Sequence, residues 1–193
     1  TNEWIIFGHK RILFQTKKIP FKYKDKKIGI VGIARDITGL YEIQEKLKKQ
    51  AYYDELTKIF NRKAYNERIQ EKFDMLDRYE TDFTIAMYDL DDFKKINDTY
   101  GHDIGDKVLI EVTNEVKSII RKTDFLFRVG GEEFVIIFDK ISLDESYDIA
   151  EKIRINISKM QIIENEKITI SMGITQAIAN DNPQSIYERV DKL

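Results

Sequence analysis

The spacing of apolar positions changes several times along the chain, and each change marks an element. Residues 4–7 (WIIF), 10–23 (KRILFQTKKIPFKY) and 28–36 (IGIVGIARD) are β-rich runs, with a polar turn at Asp25-Lys26-Lys27 between the last two. Three strands are too few to bury a core alone, so they read as the tail of an upstream sheet domain. Over residues 38–51 the period lengthens to that of a helix. Leu40, Ile43 and Leu47 recur at three- and four-residue spacing behind Thr38, which can cap. So short a stripe suits an amphipathic linker and a helix that pairs with a second copy of itself equally well.

From Asp54 the pattern is that of an α/β unit. A helix is predicted over 62–79, with Tyr65, Ile69, Phe73 and Leu76 on one side, then a strand over 83–89 (FTIAMYD). That strand is apolar almost throughout, as a central strand buried on both faces must be. A short helix at 92–97 breaks near Gly101, and a longer one from about Asp103 carries Val108, Val112, Val116 and Ile119 on one face. Strands at 125–129 and 133–138 flank Gly130-Gly131, a hairpin signal. Ser142-x-x-Glu145 is a capping box opening a helix over 142–159. A strand at 167–174 and a helix after Pro183 close an α-β-α-β-β-α-β-α order. The fold class expected is α+β: a split βαβ, ferredoxin-like mixed sheet flanked by helices.

This topology has a chemical consequence. A right-handed first crossover leaves the strands ending at Asp89 and Val129 pointing the same way. If the hairpin's return strand pairs beside the first strand, Glu132 and Glu133 of "RVGGEEF" (128–134) arrive close to Asp89. Crowded carboxylates repel unless a cation sits between them, and oxygen-only ligands suit Mg²⁺ or Mn²⁺. Such sites complete their shell with substrate phosphates. Gly130 and Gly131, lacking Cβ atoms, would let a bulky charged ligand approach the backbone. The helix opening at Asp91-Asp92-Phe93-Lys94 offers amide groups and a lysine to phosphate oxygens. The pattern points to metal-assisted chemistry on a nucleoside triphosphate.

Composition narrows the rest. A formal charge of −2 supplies no basic field for nucleic acid. The absence of cysteine excludes disulfides and zinc–thiolate sites and suits a reducing, cytoplasmic location. No apolar run approaches the length of a membrane span. The chain starts at Thr1 without Met and ends inside a predicted helix, so a piece of a longer protein is expected, with an upstream membrane anchor left open.

"RVGGEEF", "YDLDDFKKINDTYGHDIGDKVL" (88–109) and the entry "DELTKIFNRKAY" (54–65), taken together and in this order, resemble the GGDEF domain of diguanylate cyclases. The resemblance covers about residues 50–193. Lys58 departs from it, standing where the family usually has Gly. "GIVGIARDIT" (29–38) resembles the last strand of a PAS domain running into its signalling helix. The domains expected are therefore 1–37, the truncated end of a PAS-like sensor; 38–51, a signalling helix; and 52–193, a GGDEF domain lacking its C-terminal end.

The resemblance implies condensation of two GTP into cyclic di-GMP and pyrophosphate by a homodimer with one GTP per subunit. It places divalent metal (Mg²⁺ or Mn²⁺) on Asp89, the Leu90 carbonyl and Glu133. It makes Glu132 the candidate general base for the 3′-hydroxyl, sets Phe93 and Lys94 at the phosphates beside Gly130 and Gly131, and gives guanine to Asn97 and Asp106. His102 lies between those two, as a GTP contact or a structural histidine at the helix break. Arg121-x-x-Asp124 matches the family's product-inhibitory site; without the resemblance it would read as a surface ion pair. The competing function is a non-catalytic GTP or cyclic di-GMP binding module, against which the retained Asp89, Glu132 and Glu133 count. Asp106 counts against an adenine-containing product. The family's basic phosphate clamp lies beyond Leu193.

Overall fold

The structure is a computed structural model, and it describes every residue except Asp25, Glu80, Ala179, Lys192 and Leu193. The chain divides into two compact units, Thr1–Ala51 and Tyr52–Leu193. In the first, β1 (Asn2–Phe7), β2 (Lys10–Tyr23) and β3 (Lys26–Asp36) form an antiparallel meander, followed by α1 (Thr38–Tyr52). The expected turn at Asp25 lies partly outside the described residues. Thr38 opens α1, but its hydroxyl donates to Asp36 and accepts the Leu13 amide, while the Asp36 carboxylate takes the Thr38 amide. The cap is thus supplied by Asp36. Among the described residues, Leu13 is the buried apolar residue of this unit; Ile6, Phe7, Ile30 and Ile33 are exposed, as are Leu40, Ile43 and Leu47 of α1.

The second unit has a five-stranded sheet in the order β4-β6-β7-β5-β8. The strands are β4 (Phe60–Asn61), β5 (Phe83–Leu90), β6 (Phe125–Arg128), β7 (Glu133–Asp139) and β8 (Ile170–Gln176). β7 runs antiparallel to both β5 and β6, so those two point the same way with β7 between them, and β8 closes the other side of β5 antiparallel. This is the split βαβ arrangement, extended by β4, which pairs parallel to β6 over two residues and has no periodicity to announce it. The last strand lies about three residues later than its apolar run suggests, because Ile168 is buried ahead of the ladder rather than within it.

Alternation along the central strands splits the core. Ala86, Tyr88 and Leu90 of β5 with Phe134, Ile136 and Phe138 of β7 face α3 (Phe93–Tyr100), α4 (His102–Ile119) and α5 (Leu143–Ile157). Phe83, Ile85 and Met87 with Val135 and Ile137 face α2 (Arg62–Tyr79) and α6 (Pro183–Asp191). Burial on both faces explains the continuous apolar run of β5. At about 25 cal/mol per Å², these large side chains are the main source of stability. The capping box of α5 forms in full, with Ser142 and Glu145 each holding the other's backbone amide.

Candidate active site

Strand register puts Asp89 directly opposite Glu133 on β7 and Ser171 on β8. The sheet edge where β5 ends is therefore also where the β6–β7 turn emerges. Asp89 sits there half-buried, and burial together with the charges of Glu132, Glu133 and Asp91 pushes its carboxyl up to about 6. Among the described residues, neither Glu132 nor Glu133 is held by a hydrogen bond or an ion pair to its carboxylate, and this charge concentration has no internal counter-ion. A bound cation relieves such a situation. Asp91 is different. It accepts from the hydroxyls of Thr169 and Ser171, both at 2.6 Å, so it braces the start of β8 against the loop after β5.

Gly130 and Gly131 do not act as a two-residue turn would require, because neither takes a left-handed φ. The loop is wider: the Val129 and Gly130 amides both reach the Glu133 carbonyl, at 2.9 and 3.3 Å. Gly130 is needed for space, since a Cβ there would collide with the Glu133 carboxylate. Gly131 has open space around it. The loop's shape comes instead from Arg128, whose Nε and Nη2 donate to the Gly131 carbonyl at 3.1 and 2.7 Å. Arg128 Nη1 reaches Asp54 Oδ1 at 3.0 Å. Asp54 also accepts the Thr57 amide and hydroxyl. Burial opposes its charge, but these donors and the guanidinium outweigh burial and hold the Asp54 carboxyl below its ordinary range. The entry motif and the glycine turn are thus one clamp.

On the other side of Asp89 the chain turns sharply into α3. Asp92 takes a left-handed φ of 55° and offers no side-chain cap. The amides of the first turn of α3 therefore receive no acceptor from the Asp92 side chain, and Lys94 in that turn is exposed. Phe93 is buried, and Leu90 ends β5 in the core. Asn97 packs against Gly105: a Cβ on Gly105 would strike the Asn97 amide oxygen and crowd the Phe93 ring. Asn97 thus packs against the residue that precedes Asp106 on α4. His102 is the exposed first residue of α4, following Gly101 at φ 84°.

Arg121 and Asp124 lie elsewhere, on the loop before β6. They make no ion pair with each other among the described residues. Asp124 is buried and accepts the Arg121 amide at 2.9 Å and the Asp139 amide at 3.4 Å, while Arg121 is exposed. Asp139 in turn pairs with the buried Lys72 at 2.7 Å. Asp124 shapes the loop and Arg121 is presented by it.

Asp54, Asp91, Gly105 and Arg128 were not singled out from sequence. Asp54-x-x-Thr57 carried a visible side-chain-to-backbone signal; Arg128 meets Asp54, and Asp91 meets Thr169 and Ser171, across 74 to 80 positions, and the Gly105–Asn97 contact depends on how α3 packs on α4. No three acidic or histidine side chains converge on one point among the described residues. A hard cation here would take Asp89 and Glu133, a backbone carbonyl and otherwise substrate or water oxygen, which Mg²⁺ accepts. The donor set fits.

The structure thus brings carboxylates together at a strand end, beside a helix N-terminus that has no side-chain cap. The chain matches the family described as diguanylate cyclase, GGDEF domain, over residues 51–193, and it belongs to that family. It is 35% identical over 170 residues to diguanylate cyclase DgcM of Escherichia coli, covering 88% of this chain and 41% of that protein. The chain thus spans less than half the length of that relative. Its fold is similar to the coiled coil and GGDEF domain of DgcB from Caulobacter crescentus, a structure in complex with c-di-GMP. There the TM-score is 0.77 at 28% identity, over 81% of this chain and 85% of that one. It is also similar to the active GGEEF domain of a diguanylate cyclase from Vibrio cholerae, with a TM-score of 0.65 at 32% identity over 68% of this chain and 86% of that one.

Proposed function

We propose that this chain condenses two GTP molecules into cyclic di-GMP with release of pyrophosphate, working as a homodimer with one GTP per subunit. The observation that carries the reading is the register pair Asp89–Glu133, which joins two carboxylates at a sheet edge with no internal counter-ion among the described residues. Asp89, the Leu90 carbonyl and Glu133 would hold Mg²⁺ or Mn²⁺, which when bound screens the phosphate charge and polarises the α-phosphate. The amides at the start of α3, at Phe93 and Lys94, receive phosphate oxygens, and the Lys94 ammonium offsets charge that builds on the leaving pyrophosphate. The open space at Gly131 leaves room for that group beside the turn. Asn97 and Asp106 recognise guanine, the carboxylate accepting from N1–H and the 2-amino group. Glu132 takes the proton of the 3′-hydroxyl. That oxygen forms a bond to the α-phosphorus of the other GTP as the bond to pyrophosphate breaks, and the step occurs twice per product. His102, exposed at the start of α4, is a further GTP contact in this reading.

Arg121 binds the product through bidentate contacts to phosphate or to the guanine Hoogsteen edge, and Asp124 holds the loop that presents it. Residues 1–37 are the end of a PAS-like sensor, and α1 is its signalling helix. No helix among the described residues is long and apolar enough to cross a membrane. A cytoplasmic site of action, where GTP is available, and no nucleic-acid partner complete the reading.

The test is incubation of the chain with GTP and Mg²⁺, with identification of the product by mass. Cyclic di-GMP is expected from the wild-type chain and none from Glu133→Gln. A nucleotide-bound protein that makes no product under any metal or concentration would leave a binding module in place of an enzyme.

A further inference from the structure

Lys58 stands where the resembled family has glycine, and the structure shows what that position requires. Its φ is 59°, in the left-handed region that a residue with a Cβ adopts at a cost of about 1–2 kcal/mol. The turn is fixed by the Lys58 amide donating to the Asp54 carbonyl at 3.0 Å, a bond glycine would make equally well. The lysine side chain makes no hydrogen bond or ion pair among the described residues and is exposed. What it does have is a location. Lys58 lines an open groove of about 360 Å³ together with Tyr53, Lys117, Arg121, Lys122 and Asp124.

That groove joins an apolar lining of Ile59, Phe60, Ile120 and Leu126 to a cluster of cations. Lys58 comes from the turn after Tyr53, Lys117 from the last turn of α4, and Arg121 and Lys122 from the loop before β6. None of the four is in a salt bridge among the described residues. Asp124, the acid of the lining, is buried with its oxygens spent on backbone amides. Glu145 lies near enough to Arg121 to feel its charge but is fully exposed. Tyr53 is exposed although its ring stacks on Phe60 at 4.8 Å, leaving aromatic surface in the groove. An unpaired cluster of cations beside an aromatic ring suits a ligand that carries phosphodiester charge and purine rings.

We propose that Lys58 is a second phosphate-binding cation of the product groove, which sets how tightly, and with what salt dependence, this chain binds cyclic di-GMP. The inference rests on the reading of Arg121 as the product contact. Lys58 meets a phosphodiester while Arg121 holds the other end of the same dinucleotide. Glycine at this position would leave the groove without that cation.

The experiment is titration of the chain with cyclic di-GMP at low and moderate salt, for wild type, Lys58→Gln, Lys58→Arg and Arg121→Ala. Lys58→Gln keeps the Cβ and so the backbone strain. It is expected to weaken binding by roughly threefold to tenfold at low salt and to flatten the salt dependence, as loss of one partly exposed charge contact should. Lys58→Arg should restore both. A Lys58→Gln variant with wild-type affinity and wild-type salt dependence overturns the proposal, even where Arg121→Ala loses binding. Wild-type affinity in Arg121→Ala overturns instead the product-groove reading on which it stands. Inorganic pyrophosphate is the control: displacement of cyclic di-GMP by equimolar pyrophosphate would make the groove a general anion site and also overturn the assignment.

Discussion

At the scale of single residues, the informative feature is a carboxylate kept where it is uncomfortable. Burial and three neighbouring acids push Asp89 up to about 6. Without metal the folded chain therefore holds a proton at Asp89 that the unfolded chain has released. Between about pH 4 and 6 this group's contribution falls as pH rises, because the unfolded state binds fewer protons there. Asp89→Asn should accordingly stabilise the metal-free protein at pH 7.5, by roughly 0.5–1 kcal/mol once solvent screening is allowed for, while eliminating turnover. The gain should shrink toward pH 4, and melting curves at the two pH values check it. A variant less stable than wild type at pH 7.5 would show that Asp89 serves the fold and not a cation. If Asp89 holds metal, metal binding follows the opposite course, since the carboxyl must lose its proton to coordinate, so the affinity for Mg²⁺ should decline as pH drops below about 6. Gly105 makes a second case. Gly105→Ala displaces Asn97 and crowds Phe93. The expected result is a rise in KM for GTP of about tenfold or more, with a much smaller change in melting temperature. An unchanged KM would remove Asn97 from the guanine site.

At the scale of elements, most of the fold was legible because its signals are local. The helix over residues 62–79, the long strand 10–23 and the α5 capping box depend on periodicity or on residues three apart. β4 was not legible: two residues carry no period, and they join the sheet through tertiary pairing with Phe127 and Arg128. Gly130-Gly131 was read as a turn for the right reason at the wrong scale. Gly130 leaves room for Glu133, and the curvature is imposed by Arg128 and Asp54, 74 positions apart in sequence. That clamp predicts its own failure mode. Arg128→Met keeps most of the packing volume but releases the Gly131 carbonyl and leaves Asp54 with Thr57 alone. Faster amide exchange at Val129 and Gly130 is expected, with kcat reduced about tenfold because the carboxylates of Glu132 and Glu133 lose their fixed position. Unchanged exchange at those amides would mean the turn is shaped by its own backbone.

At the scale of the whole molecule, the meeting of Asp89 with Glu133 could be anticipated because topology alone brings strand ends together, whereas the Asp91 brace depends on which hydroxyls β8 sets beside it and the Asn97–Gly105 contact on how α3 packs against α4. The same topology limits what one chain can do. Among the described residues the carboxylate pair occurs once, at the β5–β7 edge. On the proposed function one chain would then present one GTP, and each 3′-hydroxyl would attack the α-phosphate held by another copy, in line with the departing pyrophosphate. Two chains would have to meet across their Gly130–Gly131 edges. The α1 stripe of Leu40, Ile43 and Leu47 is exposed, and burying it against a second copy would raise the effective concentration of one site at the other without touching substrate. Specific activity should therefore increase with protein concentration. A stable parallel coiled coil fused in register ahead of Tyr41 should raise the activity measured at low concentration, and Leu40→Glu combined with Leu47→Glu should lower it in the unfused chain. Sedimentation measured alongside turnover decides the matter, since turnover independent of concentration by a species that sediments as a monomer would rule out the two-chain reaction.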